Sequence, residues 1–300
     1  MSDGLDWARD GATWPHREAS RFVSAGGLRW HVQQMGPAPA EAPTLLLIHG
    51  TGASTHSWRG VAPLLAEHGH VIAVDLPGHG FSTLPTTQQA MSLPGMARGL
   101  GALLAALKVA PQAVVGHSAG VAIGARLCLD GLASPRTLIG INAALLPLGG
   151  AAGRMFSPLA KLMALNSWAP RLFAWRASDA ATVRRMIAGT GSTIDAEGIA
   201  LYARLMQSPG HVAAALAMMA NWDLAPLARA LPQLRPPLLL LTGSNDRTLP
   251  PAHAATVAAL VPAARSVALP GLGHLAHEEQ PARVAGLVWQ QVQAAEGGRP

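Results

Sequence analysis

The stretch Gly116-His117-Ser118-Ala119-Gly120 sets a serine between two glycines, directly after the apolar run 113–115 and directly before a segment of helical period. A strand-to-helix turn this sharp tolerates no bulk beside the serine, which Gly116 and Gly120 satisfy, with His117 completing the elbow. The helix behind it turns free amides and a positive dipole end toward the hydroxyl. A serine hydroxyl is a weak nucleophile, so acyl transfer needs a base to take its proton and a carboxylate to orient that base.

In this setting the expected chain order is serine, acid, histidine. Asp246 follows the apolar run 238–241 within Thr242-Gly243-Ser244-Asn245-Asp246, and His274 follows the run 266–269 at the end of Pro270-Gly271-Leu272-Gly273-His274. The other position open to an acid, after the run 137–141, holds Asn142, which cannot serve. His277 is a rival base close behind His274. The developing oxyanion needs backbone donors, and the expected pair is the N–H of Thr51, in His49-Gly50-Thr51-Gly52, with that of Ala119. The plainer alternatives are a helix N-cap for Ser118, an Asx-turn for Asp246 and an exposed loop ring for His274.

These loops work together only if they open on one edge of a sheet. The runs 44–48, 71–74, 113–115, 137–141, 238–241 and 266–269 are short, continuously apolar and bounded by turn residues, as strands covered on both faces should be. Between them the periodicity predicts helices over 57–68, 93–107, 119–130 and 251–260, with a last one over 281–293. Residues 21–24 and 28–34 flank Gly26-Gly27 and read as a hairpin. The expected class is α/β, a mostly parallel central sheet flanked by helices with an antiparallel start.

Residues 146–230 break this rhythm and read as entirely helical, around 159–165, 180–188, 197–206 and 212–222. They are expected to form a helical cap on a core of 1–145 and 231–300. Six of the ten Met lie here, with Phe156, Trp168, Phe173, Trp175, Tyr202 and Trp222, and so does +4 of the net charge of +6. The apolar side chains could form the cap's own core or line a pocket above Ser118, and Arg184-Arg185 reads first as a solvated face. The first 20 residues and the last five read as tails, although Trp7 and Trp14 suggest that the first of these packs somewhere.

Half of the 300 residues are hydrophobic and 13% are charged, with Gly and Pro spread along the chain, which excludes a disordered or collagen-like chain. No basic run exceeds Arg184-Arg185, so nucleic acid is not an expected partner. The uncharged stretches 76–97 and 205–222 are interrupted by Pro, Gly and polar residues and do not read as membrane spans. The single cysteine, Cys128, and the lack of an apolar leader after Asp3 and Asp6 suggest a cytoplasmic location. Gly271-x-Gly273-x-x-Ala276 mimics a dinucleotide fingerprint, but a single helix follows it; His274, His277 and Glu278 match no zinc pattern. Neither a cofactor nor a metal is expected.

With the His49–Gly52 loop, Asp75-Leu76-Pro77-Gly78-His79-Gly80, the elbow and Gly273-His274 in order, the chain resembles the α/β-hydrolase superfamily over about residues 20–293. The serine at 118 departs from the haloalkane dehalogenases and epoxide hydrolases of that superfamily, which carry aspartate there. More narrowly, the chain resembles the magnesium-chelatase accessory proteins of bacteriochlorophyll synthesis. That likeness lies in 21–36, 49–59, Ser92-Leu93-Pro94-Gly95-Met96-Ala97-Arg98, Arg171-Leu172-Phe173-Ala174-Trp175-Arg176 and 208–223. Two partners follow as expectations: a small apolar ester or acyl substrate, and, from the resemblance, a porphyrin. Peripheral membrane contact through the basic, Met-rich cap is a third.

Overall fold

A computed structural model describes residues 4–147 and 179–297. Eight strands form one sheet: β1 Ser20–Ala25, β2 Leu28–Met35, β3 Thr44–Ile48, β4 His70–Val74, β5 Ala113–His117, β6 Thr137–Ile141, β7 Leu238–Gly243 and β8 Ala264–Leu269, in the order β1-β2-β4-β3-β5-β6-β7-β8. β1 pairs with β2 and β2 with β4 antiparallel, and every later pairing is parallel. From β3 the chain moves outward to β4 and then crosses to β5 on the other side of β3. That reversal opens a crevice at the carboxyl ends of β3 and β5, where ligands of open α/β sheets bind.

The inner strands β3–β7 are largely apolar because alternate residues feed two cores. Leu46, Ile48, Ile72, Val74, Val114, Leu138 and Leu240 face α3 (Leu93–Leu107) and α4 (Ala119–Leu129). Leu45, Leu47, Val71, Ala73, Val115, Ile139 and Leu241 face α2 (Ala62–Ala66) and α11 (Pro281–Gly297). Each fully buried aliphatic side chain contributes about 1.5–3 kcal/mol, so the alternation fixes register firmly.

Two expectations need correction. The helix expected over 57–68 is instead a 3-10 turn, Thr55–Trp58, followed by the short α2. Gly60 lies so close to Pro281 that a Cβ there would meet the ring at 2.8 Å, and Pro63 fits only a first helical turn, so α2 starts afresh. The N-terminal tail is also no tail. α1 (Trp7–Asp10) is capped by Asp6, Trp14 is 3% exposed and donates from Nε1 to Thr55 Oγ1 at 3.1 Å, and Trp7 meets Phe22 and Phe81 edge-on.

Between β6 and β7 the described chain holds α5 (Ala180–Gly189), α6 (Ala196–Met206), α7 (Pro209–Ala220) and α8 (Ala225–Ala230). Side chains of Asp179, Asp195 and Ser208 cap the first three. The segment expected to be helical over 159–165, with Phe156, Lys161, Trp168 and the 171–176 stretch, lies outside the described residues. α9 (Ala252–Leu260) and α10 (Ala276–Glu279) complete the core. Among the described residues no helix is long and apolar enough to cross a membrane.

Candidate active site

β5 runs straight into Ser118, whose φ of 50° and ψ of −116° put a non-glycine residue in the left-handed region. Such a conformation costs on the order of 1–3 kcal/mol and persists only where surrounding structure imposes it. Here Ser118 N donates to Ile141 O at 3.0 Å and Ser118 O accepts from Ala144 N at 3.1 Å. A Cβ on Gly116 would meet Val121 N at 2.5 Å, and one on Gly120 would run into the carbonyls of Ile48 and His49. Ser118 stands at the N-cap of α4 yet makes no side-chain capping bond, so its hydroxyl is not used for the helix.

His274 Nδ1 donates to Asp246 Oδ2 at 2.8 Å, and both side chains are buried. The other oxygen of Asp246 accepts from the amides of Thr248 and Leu249 at 2.7 and 3.0 Å. A carboxylate held this way keeps the imidazole proton on Nδ1 and leaves Nε2 as the basic nitrogen. The loop carrying His274 is fastened from three sides. Asn142 Nδ2 donates to Gly273 O and His274 O at 2.9 and 2.8 Å while its Oδ1 accepts from Gly243 N at 2.8 Å. His117 Nε2 donates to His274 O at 2.9 Å, with the two rings 4.8 Å apart. From the turn after α5, Thr190 O accepts from His274 N, Ser192 Oγ accepts from Leu275 N at 2.8 Å and Gly191 O accepts from Asn245 Nδ2 at 2.7 Å.

The loop after β3 lies against the elbow: a Cβ on Gly50 would come within 3.1 Å of Ser118 Cβ. His49 Nδ1 donates to Gly50 O at 2.7 Å and its Nε2 accepts from Leu76 N at 2.9 Å. Gly50 O and Thr51 N–H belong to one rigid peptide plane, so that bond also sets the direction of the Thr51 N–H. Ala119 is the first residue of α4, where amides lack intrahelical acceptors. Behind the loop Asp75 is fully buried, accepting from His31 Nδ1 at 2.7 Å, Thr55 N at 2.7 Å and Phe81 N at 2.9 Å. The His31 ring and these donors hold its carboxyl well below the usual carboxylate range, against the opposing effect of burial.

Burial also keeps the surrounding imidazoles neutral. It is the largest cause for His49, His79 and His117, all held below the ordinary histidine range, and it lowers His211 to about 4 and His277 to about 3. His277 lies between Trp58 and His117, with ring centroids 4.8 and 4.4 Å away, and neither of its nitrogens has a partner. The side-chain oxygens of Asp246 are taken by His274, Thr248 and Leu249 and not by His277. Glu278 takes a hydrogen bond from Tyr202 Oη of α6 at 2.8 Å and one from Arg59 Nη1 at 2.5 Å. His274 and Glu278 therefore serve two different networks, His277 makes no hydrogen bond, and the three do not converge. Among the described residues no group of His, Cys, Asp or Glu is arranged to hold a metal ion.

Sequence reasoning brought out Ser118, Asp246, His274, Thr51 and Ala119, but not the fastening roles of Asn142, His49, His211 and Glu278. The motif Asp75–Gly80 carried the one signal that pointed to the buried carboxylate.

Residues 43–281 match the family model described as the alpha/beta hydrolase fold, and the chain belongs to the α/β-hydrolase family. The Magnesium-chelatase 30 kDa subunit of Rhodobacter capsulatus is 42% identical over 278 residues, which cover 92% of this chain and 95% of that protein. An alpha/beta hydrolase fold protein from Burkholderia ambifaria superimposes with a TM-score of 0.75 at 25% identity, covering 91% of this chain and 97% of that one. A candidate lipase from Acinetobacter baumannii AYE does so with a TM-score of 0.77 at 22% identity over 93% and 92% of the two chains, a likeness of fold alone.

Proposed function

We propose that this protein is a serine hydrolase for a carboxylic ester or related acyl substrate with an apolar body. Ser118 attacks the carbonyl carbon, His274 accepts the hydroxyl proton and hands it to the leaving oxygen, and Asp246 holds the imidazolium. The N–H groups of Thr51 and Ala119 receive the oxyanion. Water then repeats the sequence on the acyl-enzyme and releases the acid. In this reading residues 146–230 form a cap over a core of 1–145 and 231–300. The observation that carries it is the 2.8 Å His274–Asp246 pair on the same sheet edge as a serine held at φ 50°.

The test is hydrolysis of p-nitrophenyl esters of increasing chain length by the wild type and by Ser118→Ala. Loss of the serine should cut kcat by roughly 10⁴-fold or more. Equal turnover by both proteins would overturn the assignment.

A second reading rests on the relative named as a magnesium-chelatase subunit and 42% identical to this chain. It makes the protein an accessory that holds a porphyrin for magnesium insertion, with or without turnover. Its test is the Soret band of protoporphyrin at micromolar protein. A shifted, saturable band supports this reading, and an unchanged band removes it.

A further inference from the structure

His211 belongs to α7, in the helical insertion, yet both nitrogens of its ring are spent on the core. Nδ1 accepts from Gly80 N at 3.1 Å, in the loop after β4, and Nε2 donates to Gly52 O at 3.1 Å, in the loop after β3. The ring is 3% exposed, and these two bonds need a neutral imidazole with its proton on Nε2. That form is the one its surroundings favour. The ring of His79 stands edge-on at 5.2 Å and His49 lies 5.3 Å beyond it, and burial together with this mutual proximity disfavours charge on the three rings.

The rest of the same α7 face does the same work. His211, Ala214 and Met218 fall three and then four residues apart, one stripe of a helix. Ala214 lies against Gly78, where a Cβ would come within 2.6 Å, and Met218 Sδ accepts from Thr51 Oγ1 at 3.5 Å. Thr51 is thus enclosed: His49 holds the carbonyl before it from the core, and His211 holds the carbonyl after it from the insertion.

We infer that His211 is a positioning residue for the oxyanion loop, so that the direction of the Thr51 N–H depends on α7 being seated. The inference rests on the serine-hydrolase reading. Removing the Gly52 bond frees one end of the three-residue segment Gly50–Gly52, whose last carbonyl then follows solvent or thermal motion. A donor misdirected by a fraction of an ångström loses its advantage in the transition state while ground-state binding is untouched.

The experiment is labelling of Ser118 by an alkyl fluorophosphonate, followed by intact-protein mass, in wild type, Ser118→Ala, His211→Gln and His211→Asn. Glutamine extends an amide toward Gly52 and keeps the donor, whereas asparagine keeps only an acceptor near Gly80. Expected is a maximal labelling rate reduced about tenfold or more in His211→Asn and within about threefold of wild type in His211→Gln, with the half-saturating probe concentration unchanged. Faster amide exchange at Thr51 and Gly52 in His211→Asn should accompany the loss. Equal rates in both variants, or losses that track melting temperature alone, would overturn the positioning role. Wild type that never labels at Ser118 would overturn the hydrolase reading and this inference with it.

Discussion

The carboxamide of Asn142 donates to the carbonyl of His274 at 2.8 Å while accepting from Gly243 N at 2.8 Å, so a single side chain ties the carboxyl end of β7 to the loop after β8. Its own φ of 45° shows how tightly it is held. Asn142→Ala leaves the Gly243 amide and the Gly273 carbonyl buried without partners and should cost about 2–4 kcal/mol in denaturant titration. Asn142→Asp can accept but, when ionised, cannot donate, so it should be at least as damaging at pH 8 and recover toward acid as its carboxyl takes a proton. Equal stability of Asn142→Asp at pH 5 and pH 8 would count against this account.

Gly120→Ala puts a methyl group into the carbonyls of Ile48 and His49, immediately before the Gly50–Gly52 loop. We expect a loss of about 3 kcal/mol, set by backbone that cannot yield. Gly131→Ala is the control, because Gly131 has a φ of 68° but open space around it. That change should cost only about 1 kcal/mol, the left-handed penalty. The comparison is a pair of urea midpoints, and similar losses would mean that contact at Gly120 is not what matters.

His277 sits without hydrogen bonds between Trp58 and His117, and burial lowers its pKa to about 3 from an ordinary 6.5. Between those values the unfolded chain holds a proton that the folded chain refuses. Wild-type stability therefore falls as pH drops from about 6.5 to about 3. His277→Phe removes that loss. Its melting temperature should gain on wild type as pH goes from 8 to 5, and a constant difference would contradict the assignment.

Glu278 shows the opposite sign. Burial raises its carboxyl to about 7 from an ordinary 4.5, over the pull of Arg59. Within that window the folded chain keeps a proton that the unfolded chain has released, so wild-type stability falls as pH rises and levels off above it. Glu278→Gln does not titrate, and its melting temperature relative to wild type should climb between pH 4.5 and pH 7. A difference that shrinks across this range would show that Arg59 sets the ionisation of Glu278.

The inner strands were readable because their apolar runs feed two cores and so carry few polar interruptions. Ser118, Asp246 and His274 were readable because each follows such a run at its carboxyl end. What local pattern could not carry is contact between distant residues. Asn142 was set aside as an acid that cannot ionise, and its amide turns out to matter because Gly243 and Gly273 arrive beside it from elsewhere in the chain. The expected 57–68 helix failed through Pro281, which lies beyond every window that reads Gly60. His211 is one histidine on one helix, with no spacing to mark it until Gly52 and Gly80 fold against its ring.

The N-terminal arm imposes an order on folding. Arg204 Nη1 donates to Asp10 O at 2.8 Å across 194 positions of sequence, and to Thr13 Oγ1 at 3.0 Å. Trp14 and Trp7 find their other partners in Thr55 and Phe81. Contacts spanning so much chain pay their loop-closure entropy late. Phe22, Thr55 and Phe81 receive the two indole rings from the first part of the chain, whereas the Arg204 bonds and the packing of Leu201 and Leu205 close only once α6 is in place, so the arm is gripped by two elements that reach it at different stages.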